Sequence, residues 1–408
     1  MHTEKNKHYM WYAWFVCALG AVFYSYEYFL RISPSVMEEA LRAHFELNSA
    51  GFGKLSAFYY YAYVPMQLPV GILMDRYGPR RLLTIACMIC VLGTWMFAGT
   101  SVFWVAASGR FLVGLGSAFA FVGVLKLATL WLPEDRLALV SGLATALGTI
   151  GAMLGDNILG ALVDSAGWQQ TVNLTAISGI LLVLVLWLGL RDHPDSDEES
   201  GSIENFRQSI RDLCIIARNR QIWINGLYGC LVYLPTTVLA ELWGIPYLQH
   251  AHGMTRSNAD FANSLLFLGF TVGAPMMGFL ADKLHRRKLP MMTGALGAVI
   301  VMSIILYMPG LTAMQINVLM VLLGLLYGAQ AIVFAVGREL SPDEAAGTAM
   351  AMTNMIVMLG AMFLQPLVGY LLDWSGDYRI ALSVIPLGML IAAVLVFFLK
   401  ETHAHAPQ

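Results

Sequence analysis

Gly71-Ile72-Leu73-Met74-Asp75-Arg76-Tyr77-Gly78-Pro79-Arg80-Arg81 is a charged hairpin set between two long apolar runs. A water-soluble core has no use for apolar runs of that length and continuity. Two membrane-spanning helices joined on the cytoplasmic side do need a short, positively charged turn. A weaker copy, Gly278-Phe-Leu-Ala-Asp282-Lys283-Leu-His285-Arg286-Arg287-Lys288, follows 207 residues later. Both copies read G-x-x-x-D-[RK], with a basic cluster at the same distance. The chain reads as one half, duplicated.

Composition agrees. The 408 residues are 58% hydrophobic and 12% charged, with mean hydropathy +0.65. Soluble proteins carry about 25% charged residues, so this chain belongs in lipid. A net charge of −2 with no basic stripe points to no nucleic-acid partner. Five cysteines form no disulfide framework. Cys87 and Cys90 have C-x-x-C spacing, but within an apolar helix and without a second pair they read as packing residues. The apolar run behind Lys5 and Lys7 continues from Trp11 to Ser33, too long for a signal peptide, and is expected to stay as a first helix.

A crossing needs about 20 mostly apolar residues. The chain divides on that basis into twelve spans, near 11–33, 51–73, 82–100, 103–131, 138–163, 169–190, 222–249, 259–281, 289–309, 313–337, 347–373 and 379–399. Gly109, Gly114 and Gly116 in the fourth span, and Gly142, Gly148, Gly151, Gly155 and Gly160 in the fifth, let helix backbones approach closely. With the N-terminus inside, 17 basic residues fall on cytoplasmic segments and 4 (Arg42, Lys54, Arg256 and Arg379) on outer ones. Both termini are therefore expected in the cytoplasm. Residues 191–221 separate a six-helix bundle at 1–190 from another at 222–408. This linker opens with Asp195-Ser-Asp-Glu-Glu199. Ile203, Phe206, Ile210, Leu213 and Ala217 then recur at helical spacing, as in a helix on the membrane face or a plain surface linker.

The repeat extends past the hairpin. At an offset of 209, Pro133-Glu134-Asp135 matches Pro342-Asp343-Glu344, Gly151-Ala-Met153 matches Gly360-Ala-Met362, Gly160 matches Gly369 and Asp164 matches Asp373. Two halves in the same topology build a central cavity and permit alternating access by rocking.

These features together resemble the Major Facilitator Superfamily over nearly the whole chain. Gly71–Arg81 is similar to its signature between helices two and three, Gly278–Lys288 to the second copy, and Arg110-x-x-x-Gly114-x-Gly116-x-Ala118 to its fourth-helix signature. The resemblance implies an all-α membrane protein of two pseudo-symmetric bundles, with helices 1, 4, 7 and 10 lining the cavity.

A charge near mid-helix costs about 2.5–3.5 kcal/mol on insertion scales, so each one present needs a partner, water or a task. Glu27, Arg31, Arg110, Asp156 and Glu241 fall at similar depth in the outer half. Tyr24, Glu27, Tyr28 and Arg31 share one helix face. Two roles are open and compatible: neutralisation as the pairs Glu27–Arg31 and Arg110–Asp156, or handling of substrate and protons. A guanidinium clamps a carboxylate through two parallel hydrogen bonds, which makes Arg31 and Arg110 the candidates for a substrate carboxylate. Glu27 and Glu241, with Asp156, are the candidates for proton coupling. A site with both signs also suits a zwitterion. Thr237, Gln330 and Asn354 divide evenly between substrate contact and helix-to-helix bonding. Tyr59, Tyr60, Tyr61 and Tyr63 cannot all face one side. Lys126 lies near the cytoplasmic end and can snorkel.

The hairpin residues Gly71, Asp75, Arg76, Gly78, Arg80 and Arg81, with Asp282 in the second copy, are expected to gate. A helix N-terminus favours a carboxylate. The resemblance implies that Asp75 latches the start of helix 11, near Gly347, when the cavity faces outward. Arg76, Arg80 and Arg81 are expected to pair with Glu134, Asp135 or Asp343, or only to set topology.

The fifth-helix signature of drug/proton antiporters ends in Gly-Pro, whereas Gly148-Thr-Ile-Gly151-Ala-Met-Leu-Gly155-Asp156 has no proline. Ser33-Pro-Ser-Val-Met37, Trp131-Leu-Pro-Glu-Asp-Arg136 and Glu241-Leu-Trp-Gly244-Ile-Pro246-Tyr247 resemble the proteobacterial phagosomal (Pht) amino-acid transporters. The expected activity is proton-coupled import of an amino acid or similar small carboxylate across a bacterial inner membrane. The proton gradient would drive it without a cofactor. The expected partners of a monomeric chain are the substrate and the lipid bilayer. Uptake of organic anions or siderophores, drug export and solute sensing are the alternatives. No nucleophile–base motif, metal signature or phosphate loop points to an enzyme, and His250-x-His252 is a weak metal pair.

Overall fold

A computed structural model describes residues 2–133, 136–191, 203–342 and 345–402, and among them the chain forms helices and no strands. Eleven helical stretches are long and apolar enough to cross a membrane. The spanning helices are α1 (His2–Ile32), α2 (Ser49–Met66, continued as Pro69–Tyr77), α3 (Pro79–Ala98), α4 (Phe103–Trp131), α5 (Leu139–Ala166) and α6 (Trp168–Gly189) in one half. The other half holds α7 (Arg220–His252), α8 (Arg256–Lys283), α9 (Lys288–Tyr307), α10 (Ala313–Glu339), α11 (Ala346–Ser375) and α12 (Tyr378–Phe398). The ends of the bundle are called inner and outer by the asymmetry of basic residues.

α2 differs from the continuous span expected for it. Pro65 and Pro69 remove two backbone donors, and the helix breaks at Gln67–Leu68. Counting the two pieces as one crossing gives the expected twelve.

Within the first half, α3 packs on α4 and α6, and α1 on α4 and α5; in the second, α8 packs on α10, and α7 on α11 and α12. The halves meet along two seams, α2 against α11 and α5 against α8. Close approach on the first seam depends on glycine. A Cβ at Gly53 would strike the Gln365 and Pro366 backbone, and one at Gly369 the Ser49 and Ala50 backbone. Both contacts lie in the outer half. At the inner ends the picture reverses: Gly71, Gly278 and Gly347 each face open space.

The two hairpins share a backbone requirement as well as a pattern. Gly78 takes φ 77°, and His285, the matching position of the second copy, takes φ 51°. This left-handed geometry is free for glycine and costly for most other residues.

The linker helix Ile203–Arg218 forms, but its register differs from the expected one. Asp212 and Ile216 are buried, while Ala217 is exposed. Ile216 joins Ala345, Ala349 and Met352 at the start of α11, so packing on the second half decides the buried face. The acidic run 195–199 and the side chains of Ile203, Phe206 and Ile210 lie outside the described residues.

Candidate functional site

The centre is built on α2. Gly114 of α4 sits against the backbone carbonyl of Tyr59 with no room for a Cβ. The two helices therefore approach closely, and Tyr59, Tyr60 and Tyr63 are carried into the bundle, all buried. Tyr61 instead packs on Phe58.

Arg31 of α1 stands in this aromatic cage. Its Nη2 and Nε donate to Glu27 Oε1 at 2.5 and 2.9 Å, one helical turn away. Nε also reaches the Tyr59 hydroxyl at 3.1 Å, and that hydroxyl donates to Glu27. Nη1 faces Glu241 Oε1 of the other half at 3.7 Å, and Glu241 Oε2 accepts from Tyr60. The rings of Tyr28, Tyr63 and Tyr59 stand 4.3, 5.0 and 5.4 Å from the guanidinium carbon, within cation–π range. Glu27, Glu241 and Arg31 are no more than 2% exposed.

One cation thus serves two carboxylates from opposite halves. Glu27 is held by Arg31 and Tyr59, whereas Glu241 has Tyr60 and a longer contact to Arg31. Glu27 Oε2 and Glu241 Oε1 accept no hydrogen bond. The position of Glu241 follows from a backbone irregularity. Pro235 has no N–H to give, and Pro235–Trp243 forms a π-helix inside α7. The wider turn changes the direction in which residue 241 faces.

The expected pairing of Arg110 with Asp156 is absent. Arg110 donates from Nη1 to the Leu30 carbonyl at 2.9 Å and from Nη2 to the Arg31 carbonyl at 3.2 Å. The last carbonyls of a helix lack intrahelical partners and carry the negative end of its dipole, so α1 itself takes this cation. Asp156 lies in a second π-helical stretch, Gly155–Leu159, and accepts from Asn263 Nδ2 at 2.8 Å.

Among the other candidates, Tyr28 lies closest to the centre, its hydroxyl 3.3 Å from that of Tyr233 across the halves. Tyr24 packs on Tyr28 and Phe121. The Thr237 hydroxyl turns back to the Tyr233 carbonyl of its own helix, and Gln330 is buried in the 3-10 turn Gly328–Ala331. Asn354 bonds Gln67 across the α2–α11 seam at 2.9 Å. Cys87 and Cys90 are buried, each facing a backbone carbonyl of a neighbouring helix.

At the inner end Asp75 pairs with Lys126 at 2.7 Å within its own half, and Gly347 is open. Arg80 stacks on Trp187 and donates to its carbonyl, and Arg76 lies over Tyr77. Glu134, Asp135 and Asp343, the expected partners of the hairpin arginines, lie outside the described residues. In the second copy Asp282 meets Arg287 at 2.5 Å, and Arg287 continues to Glu339 at 2.7 Å.

The outer end is closed by contacts absent from the candidates read in the sequence. Asp373 of α11 accepts from the Ser49 and Ala50 amides at the start of α2, at 2.9 and 2.8 Å. Asp164 of α5 meets Arg256 at the start of α8 at 2.7 Å. Asp164 and Asp373 are repeat mates, a match visible in the sequence without its meaning.

The chain matches the family model of the Major Facilitator Superfamily over residues 16–245 and again over 230–408. It belongs to that superfamily. Among its relatives are the "Probable galactarate/D-glucarate transporter" of Bacillus subtilis, 26% identical and covering 95% of this chain and 91% of that one, and the "Probable sulfoacetate transporter" of Cupriavidus necator, 23% identical over 90% and 89%. A lysosomal dipeptide transporter of Danio rerio is 26% identical over 95% and 86%. A crystal structure of a bacterial homologue of the human lysosomal transporter Spinster has the same fold, with TM-score 0.76 at 17% identity, covering 95% of this chain and 96% of that one. This Major Facilitator Superfamily member is thus a multi-pass membrane protein with a transporter fold, and the Arg31 cluster lies between its halves.

Proposed function

We propose that this carrier takes up a small carboxylate-bearing nutrient, an amino acid first among them, together with a proton. The observation that supports this most is the sharing of Arg31 between Glu27 and Glu241 across the two halves. If both acids are ionised, the trio has one negative charge more than Arg31 can balance. A proton on Glu241 removes it and frees Nη1. A substrate carboxylate then takes the vacated position through a charge-assisted fork, and the free Oε2 of Glu27 faces a substrate ammonium. Proton and substrate depend on each other because both act on the same guanidinium. Arg31 binds in this scheme, Glu241 and Glu27 handle the proton, and Arg110 positions Arg31 through α1.

Galactarate, D-glucarate, sulfoacetate and dipeptides, in the names of the relatives, all carry a carboxylate. The resemblance to phagosomal amino-acid carriers supports the zwitterionic choice. The basic-residue asymmetry supports cytoplasmic termini and a bacterial inner-membrane location, with bundles at 1–190 and 222–408 joined by the linker.

Transport assays in proteoliposomes test the scheme. Candidate amino acids and sugar acids are first ranked by thermal shift, since a ligand at 100 times its Kd stabilises by about 2.7 kcal/mol. Glu241→Gln and Glu27→Gln are then compared. Loss of proton-driven accumulation in at least one of them, with counterflow exchange retained, is the expected result. Undiminished accumulation in both variants rejects the scheme.

A further inference from the structure

The α5–α8 seam carries a second acid pair that the Arg31 chemistry does not use. Asp156 and Gly160 lie one turn apart on α5, and Asp260 and Asn263 one turn apart on α8. Asn263 Nδ2 bridges Asp156 Oδ2 at 2.8 Å and the Ala240 carbonyl at 2.9 Å. One rung further out, the Asp260 carboxylate lies directly on Gly160, where any Cβ would collide with it. The outermost rung is Arg256 with Asp164. Asp156 and Asp260 are 0% and 3% exposed, and Oδ1 of each accepts no hydrogen bond.

The charges around the pair do not neutralise it. Arg256 donates to Asp164 and to the Val36 carbonyl. From α1, Arg31 faces Glu27 and Glu241; from α7, Glu241 adds another acid. Packing does not require the charges either. At the repeat offsets of 207 and 209, Asp260 corresponds to Gly53 and Asp156 to Gln365, so the pseudo-equivalent α2–α11 seam closes with neutral residues. Two carboxylates pressed together out of water cannot both remain ionised.

We propose that Asp156 and Asp260 form a proton-binding site between the halves, occupied when the outer mouth is shut and emptied to the outside when it opens. Closure brings the two carboxylates together and takes up one proton; opening parts them into water and releases it. The outer mouth thereby responds to external pH independently of substrate. This site stands apart from the Arg31 scheme and does not depend on it.

The test uses the full chain in proteoliposomes, with native cysteines replaced by serine and Val36→Cys as reporter. Val36 is 2% exposed beneath Arg256 in the closed mouth. A membrane-impermeant maleimide is applied from outside, without substrate, from about pH 6 to 9. Labelling should rise about fivefold or more across that range, a modest population shift. Asp260→Asn and Asp156→Asn should each hold it low at every pH, while Glu241→Gln keeps the rise. Retained counterflow identifies variants that are folded, and either aspartate variant suffices. A flat profile in the parent overturns the proposal. So does an unchanged rise in the aspartate variants, or a response that follows sodium at fixed pH.

Discussion

Tyr60 of α2 donates its hydroxyl to Glu241 of α7, a hydrogen bond between the two halves at the centre of the membrane-spanning region. It holds an acid of the second half against the tyrosine cage of the first, within 3.7 Å of Arg31. Any motion that separates the halves at this depth must release Glu241 from both.

Tyr60→Phe keeps the ring that packs on Tyr59 at 4.9 Å and removes only the donor. A hydrogen bond to a charged group is worth about 1.5–3 kcal/mol, roughly tenfold or more in population. Proton-coupled uptake should slow by about that factor while the melting temperature moves by only a few degrees. Uptake at the parent rate would show that the bond has no part in the cycle.

Arg31→Lys retains a cation but loses the planar fork. Affinity for carboxylate substrates should weaken by about tenfold or more, because a single ammonium cannot hold Glu27 and the substrate with parallel bonds. Isothermal titration with the substrate identified by thermal shift decides it, and unchanged affinity would place the carboxylate elsewhere.

Arg110→Ala deletes two bonds to the end of α1 and leaves the Leu30 and Arg31 carbonyls buried without them. The expected loss is about 2 kcal/mol or more, seen as a clear fall in melting temperature. Arg110→Lys should recover part of it. A fall in substrate affinity with no change in melting temperature would make Arg110 a direct ligand instead.

Asp373→Ala and Asp75→Asn should act in opposite directions. The first removes a cap that holds the start of α2 to α11 at the outer end, a contact worth about 1 kcal/mol. Outer-side labelling of a buried cysteine should therefore rise by about fivefold. The second removes the proposed inner latch and should lower the same labelling. In this conformation Asp75 is 65% exposed and paired with Lys126, a contact of little energetic weight. Movement of both variants in the same direction would contradict the assignment of the two ends.

The fold was legible in the sequence because a bilayer imposes a length and a charge rule that hairpins such as Gly71–Arg81 obey openly. The charged residues of the centre were legible for a related reason: Glu27, Arg31 and Glu241 are expensive in lipid and stand out. Their partners were harder to assign. Arg110 serves the end of α1 because helix-end carbonyls compete with any acid at similar depth, and a sequence does not display that competition. The facing of Glu241 depends on a π-helix begun by Pro235, which shifts the angular position that a regular helix would give. Asp260 and Asp373 sit near helix ends, where acids are ordinary, and gain meaning only when the seams are seen.

The break in α2 gives the inner end a mechanical option. Upstream of Gln67 the helix is committed to α11, while Pro69–Tyr77 continues beyond Gln67 as a short lever with open space beside Gly71. Asp75 is six residues along that lever, about 9 Å from its pivot. A swing of about 30° would move its carboxylate roughly 5 Å, with the outer length of α2 left seated. This carrier can therefore close its inner end in two stages, a local swing of one helical segment and the tilt of a whole half, and the two need not occur at the same rate.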